Sequence, residues 1–196
     1  MTEPQRCGWA TSAPEYAAYH DQEWGVELHG DDALFERICL EAFQSGLSWI
    51  TILRKRPTFR RAFAGFAIDA VAAFDDTDVD RLMNDAGIVR NRAKISAAIN
   101  NARVAAALPD GLDALLWSFA PEPGSRARPA DLTEVPAASA ESVAMAKQLK
   151  RQGFSFVGPT TAYALMQATG MVDDHIVSCW RAERRPPRRR RRTAAN

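Results

Sequence analysis

Apolar positions recur at helical spacing through most of the chain. Leu34, Phe35, Ile38 and Cys39 follow Asp31 and Asp32, which can cap a helix, and predict a first long helix ending near Ser45 and Gly46. A second helix is predicted from Ser48 to about Arg54, with Pro57 closing it. Two short helices follow over 58–63 and 69–74, and another opens at Thr77 and runs through Val79, Leu82 and Met83. Beyond a tight turn at 85–89, residues 90–107 read as an Ala-rich helix. Ile95, Ile99 and Val104 lie on one side of it, with Arg90, Arg92, Lys94 and Arg103 toward solvent. Residues 112–119 are helical, the Pro-rich stretch 120–136 is a surface loop, and 139–151 is helical again. A hairpin over 153–158 leads into a helix that starts at Pro159 and reaches Gly170. A last helix is expected from Asp173 or Asp174, carrying His175 to Cys179. No strand pattern and no internal repeat emerge, so the fold class is all-α.

One residue does not fit this pattern. At about 100° per residue Glu41 lies roughly 20° from Leu34 and 60° from Ile38. This places it with the apolar face rather than with Glu36 and Arg37. A carboxylate there is partly desolvated and requires a partner or a role. It is either a helix-edge acid that snorkels or pairs with an arginine, or part of a site. Residues 1–30 add a second oddity, a concentration of Trp9, Tyr16, Tyr19, His20, Trp24 and His29. Such density suggests an aromatic layer on the core or the wall of a ligand pocket.

The chain has 196 residues, 46% of them hydrophobic, enough for one globular domain over residues 1–180 with a tail. No run approaches a membrane span and the N-terminus lacks a signal-peptide pattern, so a cytoplasmic protein is expected. The net charge of +1 is uneven. Residues 181–196 hold eight Arg and one Glu, leaving 17 basic and 23 acidic residues before them, a net of about −6. Nucleic-acid affinity would therefore come from a local basic face or from this Arg-rich tail, which is expected to be disordered.

Three cysteines make no disulfide framework in that compartment. His175 and Cys179, four apart on a predicted helix, would share a face as half of a zinc site. Cys7 and His20 could complete a closed Cys₂His₂ set, although spacing alone does not assign that pairing. Cys39 reads as core and His29 as an exposed loop residue. The hairpin 153–158 and the helix after it can offer backbone N–H groups to an anion such as a DNA phosphate, or can form an ordinary helical corner.

Several stretches together carry a resemblance: Cys7-Gly8-Trp9, 19–25 (YHDQEWG), 40–49 (LEAFQSGLSW), 85–95 (DAGIVRNRAKI), 153–158 (GFSFVG) and Asp174-His175. They resemble the 3-methyladenine DNA glycosylase I family of the helix-hairpin-helix DNA glycosylase superfamily, over about residues 6–180 and in the same order. The resemblance implies a structural zinc ion on Cys7, His20, His175 and Cys179 that joins the N- and C-terminal segments. It implies that Glu41 hydrogen-bonds an extruded base, that Trp49 stacks on it, and that Tyr19, Tyr16 and Trp9 line the pocket. Gly46 and Leu47 would enter the duplex, and Gly153, Phe154, Gly158 and Thr160 would hold its backbone.

The activity implied is hydrolysis of the N-glycosidic bond of 3-methyladenine in double-stranded alkylated DNA. The products would be the free base and an abasic site, formed by a monomer. Lyase-competent relatives carry a lysine after the hairpin, where this chain has Pro159-Thr160-Thr161, so no Schiff-base step is expected. The family has Asn where this chain has Asp173, which is therefore either a catalytic carboxylate near the sugar or a helix N-cap. Two rivals are a non-catalytic, zinc-stabilised damage-binding protein and a zinc hydrolase, the latter requiring an open metal position.

Overall fold

A computed structural model describes residues 4–122 and 124–184. Ten α-helices and no strand are found among them. In order these are α1 (Pro14–Gln22), α2 (Asp31–Gln44), α3 (Trp49–Ala62), α4 (Ile68–Ala72) and α5 (Asp76–Asn84). After them come α6 (Arg92–Ala106), α7 (Gly111–Trp117), α8 (Ala140–Gln152), α9 (Pro159–Ala168) and α10 (Trp180–Arg184). The all-α expectation holds. Among the described residues no helix is long and apolar enough to cross a membrane.

The hub is α2, which buries Leu34, Phe35, Ile38, Cys39, Leu40 and Phe43 and packs on α3, α6, α7 and α9. Its two leading acids cap neighbouring helices instead of α2 itself. Asp31 Oδ1 accepts from the Asp113 N–H in the first turn of α7, and Asp32 Oδ1 accepts from the Ile68 N–H at the start of α4. Each satisfies an N–H that has no partner within its own helix. Main-chain bonds from Gly25 N to Gln167 O and from Leu28 N to Thr169 O tie the N-terminal segment to the end of α9. A Cβ on Gly170 would lie 2.6 Å from the Val26 carbonyl carbon, so this junction closes only around glycine.

Four expectations change. α3 runs unbroken through Pro57, because Ile52, Leu53, Phe59 and Ala62 bury one face on both sides of it. Packing outweighs the single backbone bond that proline removes. Residues 171–179 form turns, not a helix. Asp173 accepts from the His175 N–H, Val177 N bonds to Pro129 O and Cys179 N bonds to Ile176 O, which diverts the chain until α10 begins at Trp180. Asp173 is therefore not a helix N-cap. The start of the tail, 181–184, belongs to α10, while the disorder expected of the Arg run falls on 185–196, outside the described residues. The fourth change is Lys94, which is buried instead of solvated.

Two apolar clusters result. The larger is centred on α2, and a smaller one gathers Cys7, Tyr19, Trp24, Leu53 and Cys179. Trp49 packs against both, and a cavity opens between them.

Candidate active site

Glu41 comes from the core side of α2 and is only 5% exposed. It faces a cavity of about 570 Å³ lined by Trp9, Tyr16, Tyr19, Trp24, Trp49 and Gln167 among others. The sequence-predicted base-binding residues are thus brought together. Tyr16 and Tyr19 project from α1, Trp9 from the 3₁₀ turn Gly8–Thr11, and Trp49 from the first position of α3. Their rings interlock: Trp9 meets Trp24 at 5.1 Å and Tyr16 at 5.8 Å, and Tyr19 meets Trp49 at 5.5 Å. The Tyr16 hydroxyl accepts from the Ile50 N–H at 3.0 Å, which fixes it to the start of α3.

Among the described residues no hydrogen bond reaches the Glu41 carboxylate. Burial pushes its pKa up to about 8, against a smaller downward pull from Arg37. Arg37 is itself buried, because four residues put it only about 40° around the helix from Glu41, so placing it on the polar face was wrong. It bonds to Glu23 at 2.6 Å, and Arg56 grips the same carboxylate through two nitrogens. Against the cost of burial, Arg56 and Arg37 hold Glu23 down at about 2. Glu23 thereby takes one nitrogen of Arg37, while Arg37 Nη1 is buried without a hydrogen-bond partner. The Trp49 indole N–H is likewise buried with no partner. The cavity therefore presents an unengaged acid and an unengaged donor amid aromatic faces.

Some lining residues escaped the sequence reading. Leu132 and Val135 come from the Pro-rich loop and close one wall. An apolar pair in a polar loop was the available signal. Gln167 is oriented by Asp174, which also accepts from the Tyr163 hydroxyl.

The two duplex-facing candidates lie on loops. Gly46 has φ +81° with open space where a Cβ would stand, and Leu47 is exposed. Leu47 is anchored by its N–H to Gln44 O and by its carbonyl, which accepts from Gln44 Nε2. In the hairpin, Phe154 is buried, whereas Gly153 and Thr160 are exposed and a Cβ on Gly158 would meet open space.

Cys7, His20 and Cys179 converge, with candidate ligand atoms within 4.8 Å of one another. His175 stands beside this trio, its ring 4.9 Å from that of His20 and its buried Nε2 without a partner. Asp21 and Asp173 each hold the Nδ1 of one histidine at 2.8 Å, which turns both Nε2 atoms inward, that of His20 lying 3.4 Å from Cys179 Sγ. Burial pushes the Cys7 thiol up to about 12, with the neighbouring Cys179 adding to the rise. Asp173 is further engaged by Arg128 at 2.7 Å and is not among the residues lining the cavity.

Residues 9–182 match the family model described as methyladenine glycosylase. The chain belongs to the methyladenine glycosylase family. It is 46% identical over 178 residues to DNA-3-methyladenine glycosylase 1 of Escherichia coli, spanning 89% of this chain and 95% of that one. It is 41% identical to DNA-3-methyladenine glycosylase of Haemophilus influenzae, spanning 89% and 96%. A crystal structure of a 3-methyladenine DNA glycosylase I superposes with a TM-score of 0.86 at 45% identity, covering 90% of this chain and 98% of the other. A family member crystallised in complex with 3-methyladenine superposes at 0.83 with 32% identity, covering 89% and 95%. The family match thus covers α1 to α9 and the start of α10, including every residue that lines the cavity.

Proposed function

We propose that this enzyme of the methyladenine glycosylase family flips 3-methyladenine out of alkylated duplex DNA and hydrolyses its N-glycosidic bond. The single observation that carries the reading is Glu41, an unpartnered carboxyl buried in an aromatic cavity of base-accommodating size. Methylation at N3 gives adenine a positive charge and makes it a better leaving group. The enzyme then needs chiefly to extrude the base and to recognise that charge. As a carboxylate, Glu41 accepts charge-assisted hydrogen bonds from the cationic base, while Trp49, Tyr19, Tyr16 and Trp9 attract it through their ring faces. Unmethylated adenine offers no charge to repay ionising Glu41, so selectivity and rate have one origin.

Gly46 and Leu47 fill the space the base vacates, and Gly153, Phe154, Gly158 and Thr160 hold the phosphate backbone. Pro159-Thr160-Thr161 supplies no amine, so the product is an intact abasic strand. Asp173, committed to Arg128 and His175, serves as a positioning group and not as a catalytic acid. We further infer a structural Zn²⁺ on Cys7, His20, His175 and Cys179. Two thiols and two Nε2 atoms suit its donor preference, and carboxylates behind both histidines are the support such ligands use.

The test is release of free 3-methyladenine from methylated duplex DNA under single-turnover conditions. Wild type should release base and leave the strand uncut until alkali is added. Glu41→Ala should slow release by about 10²-fold or more, the range expected when an electrostatic partner of the transition state is removed. Tight binding to methylated DNA without base release by wild type would favour a damage-binding protein instead.

A further inference from the structure

The two loops assigned to the duplex are far apart in sequence, yet one helix holds both. Near the N-terminus of α6, Lys94 is 8% exposed and its Nζ donates to Phe43 O at 2.9 Å and to Ser45 O at 2.6 Å. These are carbonyls at the end of α2, where a helix leaves acceptors unpaired and favours a cation. The bond to Ser45 fixes the chain immediately before Gly46 and Leu47. Seven residues on, Asn101 is 1% exposed and pairs with the hairpin peptide of Ser155. Its amide donates to Ser155 O at 3.0 Å and its oxygen accepts from Ser155 N at 2.8 Å. Asn100 adds a donor to Gly153 O at 2.8 Å.

The hairpin needs such holding. Phe156, next in the chain, adopts φ +57° without being glycine, and it is 43% exposed, so burial of its ring does little to offset the strain. The two-point pairing at Ser155 fixes the peptide plane from which that residue departs. Lys94 and Asn101 lie about two turns, or about 10 Å, apart along a single rigid helix.

We propose that α6 is a gauge that sets the distance between the base-replacing loop at Gly46-Leu47 and the backbone-holding hairpin, with Lys94 and Asn101 as its positioning residues. The proposal rests on the duplex-binding reading above and adds what fixes the spacing on which that reading depends. Neither residue lines the cavity, so both act on DNA engagement and not on base recognition.

The experiment compares wild type, Lys94→Met, Asn101→Ala and the milder Asn100→Ala. Two ligands are used: a duplex carrying a stable abasic-site analogue, and free 3-methyladenine followed by tryptophan fluorescence. Lys94→Met and Asn101→Ala should each weaken duplex binding about tenfold, as loss of two buried bonds implies, and raise KM with kcat little changed. Asn100→Ala should weaken it less, and all three should bind the free base as wild type does. Unchanged duplex affinity in all variants would overturn the proposal. So would parallel loss of base binding, which would mean that these residues merely support the fold. If wild type binds the abasic duplex but releases no base from methylated DNA, the glycosylase reading fails while the gauge is still judged by its own binding data.

Discussion

A buried carboxyl without a hydrogen-bond partner is held neutral by its surroundings, and Glu41, at about 8, is in that state at neutral pH. In the unfolded chain the same group titrates near its ordinary value of 4.5. Below pH 4.5 both states are protonated and ionisation of the group costs the fold nothing. Between 4.5 and 8 the unfolded state gives up its proton first, so stability falls as pH rises, and the loss is complete above 8. Glu41→Gln keeps the shape without the proton equilibrium. Its melting temperature should therefore exceed that of wild type by more at pH 9 than at pH 5. The difference should be at least about 2–4 °C, the shift that 1 kcal/mol produces in a domain of this size. A pH-independent difference would show that Glu41 is charged and paired in solution. Glu41 stood out in the sequence because it breaks an apolar period on its own helix. Lys94 did not, because its partners are main-chain carbonyls of another helix and carry no side-chain signal.

At the scale of elements, periodicity located α2, α6, α8 and α9 well, since each has a continuous apolar stripe that packing reinforces. It failed where a local signal and a tertiary one conflict. Pro57 reads as a stop, yet α3 continues because its buried face resumes at Phe59. Pro57 is exposed, and its ring leaves the Leu53 carbonyl without the usual N–H donor. Alanine is favoured over proline in a helix interior by about 3 kcal/mol, partly offset by the greater freedom it gives the unfolded chain, about 1 kcal/mol at most. Pro57→Ala should accordingly raise the melting temperature by several degrees without altering base release. An unchanged or lower melting temperature would mean that the proline suits a bend that α3 requires. Residues 171–179 are the converse case. His175 and Cys179 do come near Cys7 and His20, but by a turn held by Asp173 and not by helical spacing.

For the whole molecule, the zinc proposal makes the two ends of the chain mutually dependent. Cys7 and His20 lie before the hub helix α2, His175 and Cys179 lie after α9, and their junction also forms part of the base pocket. Trp24, which lines the cavity, packs 4.6 Å from the His175 ring and 6.2 Å from that of His20. Tyr19 immediately precedes His20 and faces the same cavity. The core around α2, α3, α6 and α9 contains none of the four ligands. Metal removal should therefore act in two stages. Chelation should first loosen the smaller cluster, abolishing binding of free 3-methyladenine while helical circular dichroism stays largely intact, and should lower the melting temperature of what remains. Elemental analysis should find one zinc per wild-type chain and none in Cys7→Ser or Cys179→Ser. Cys39→Ser, altering a core thiol on α2, should retain the ion. Wild type purified without zinc, yet binding the free base, would remove the metal from the account. The trio Cys7, His20 and Cys179 would then be a buried polar contact between the termini. Loss of all helical signal on chelation would instead tie the ion to the main core, against the division between the two apolar clusters.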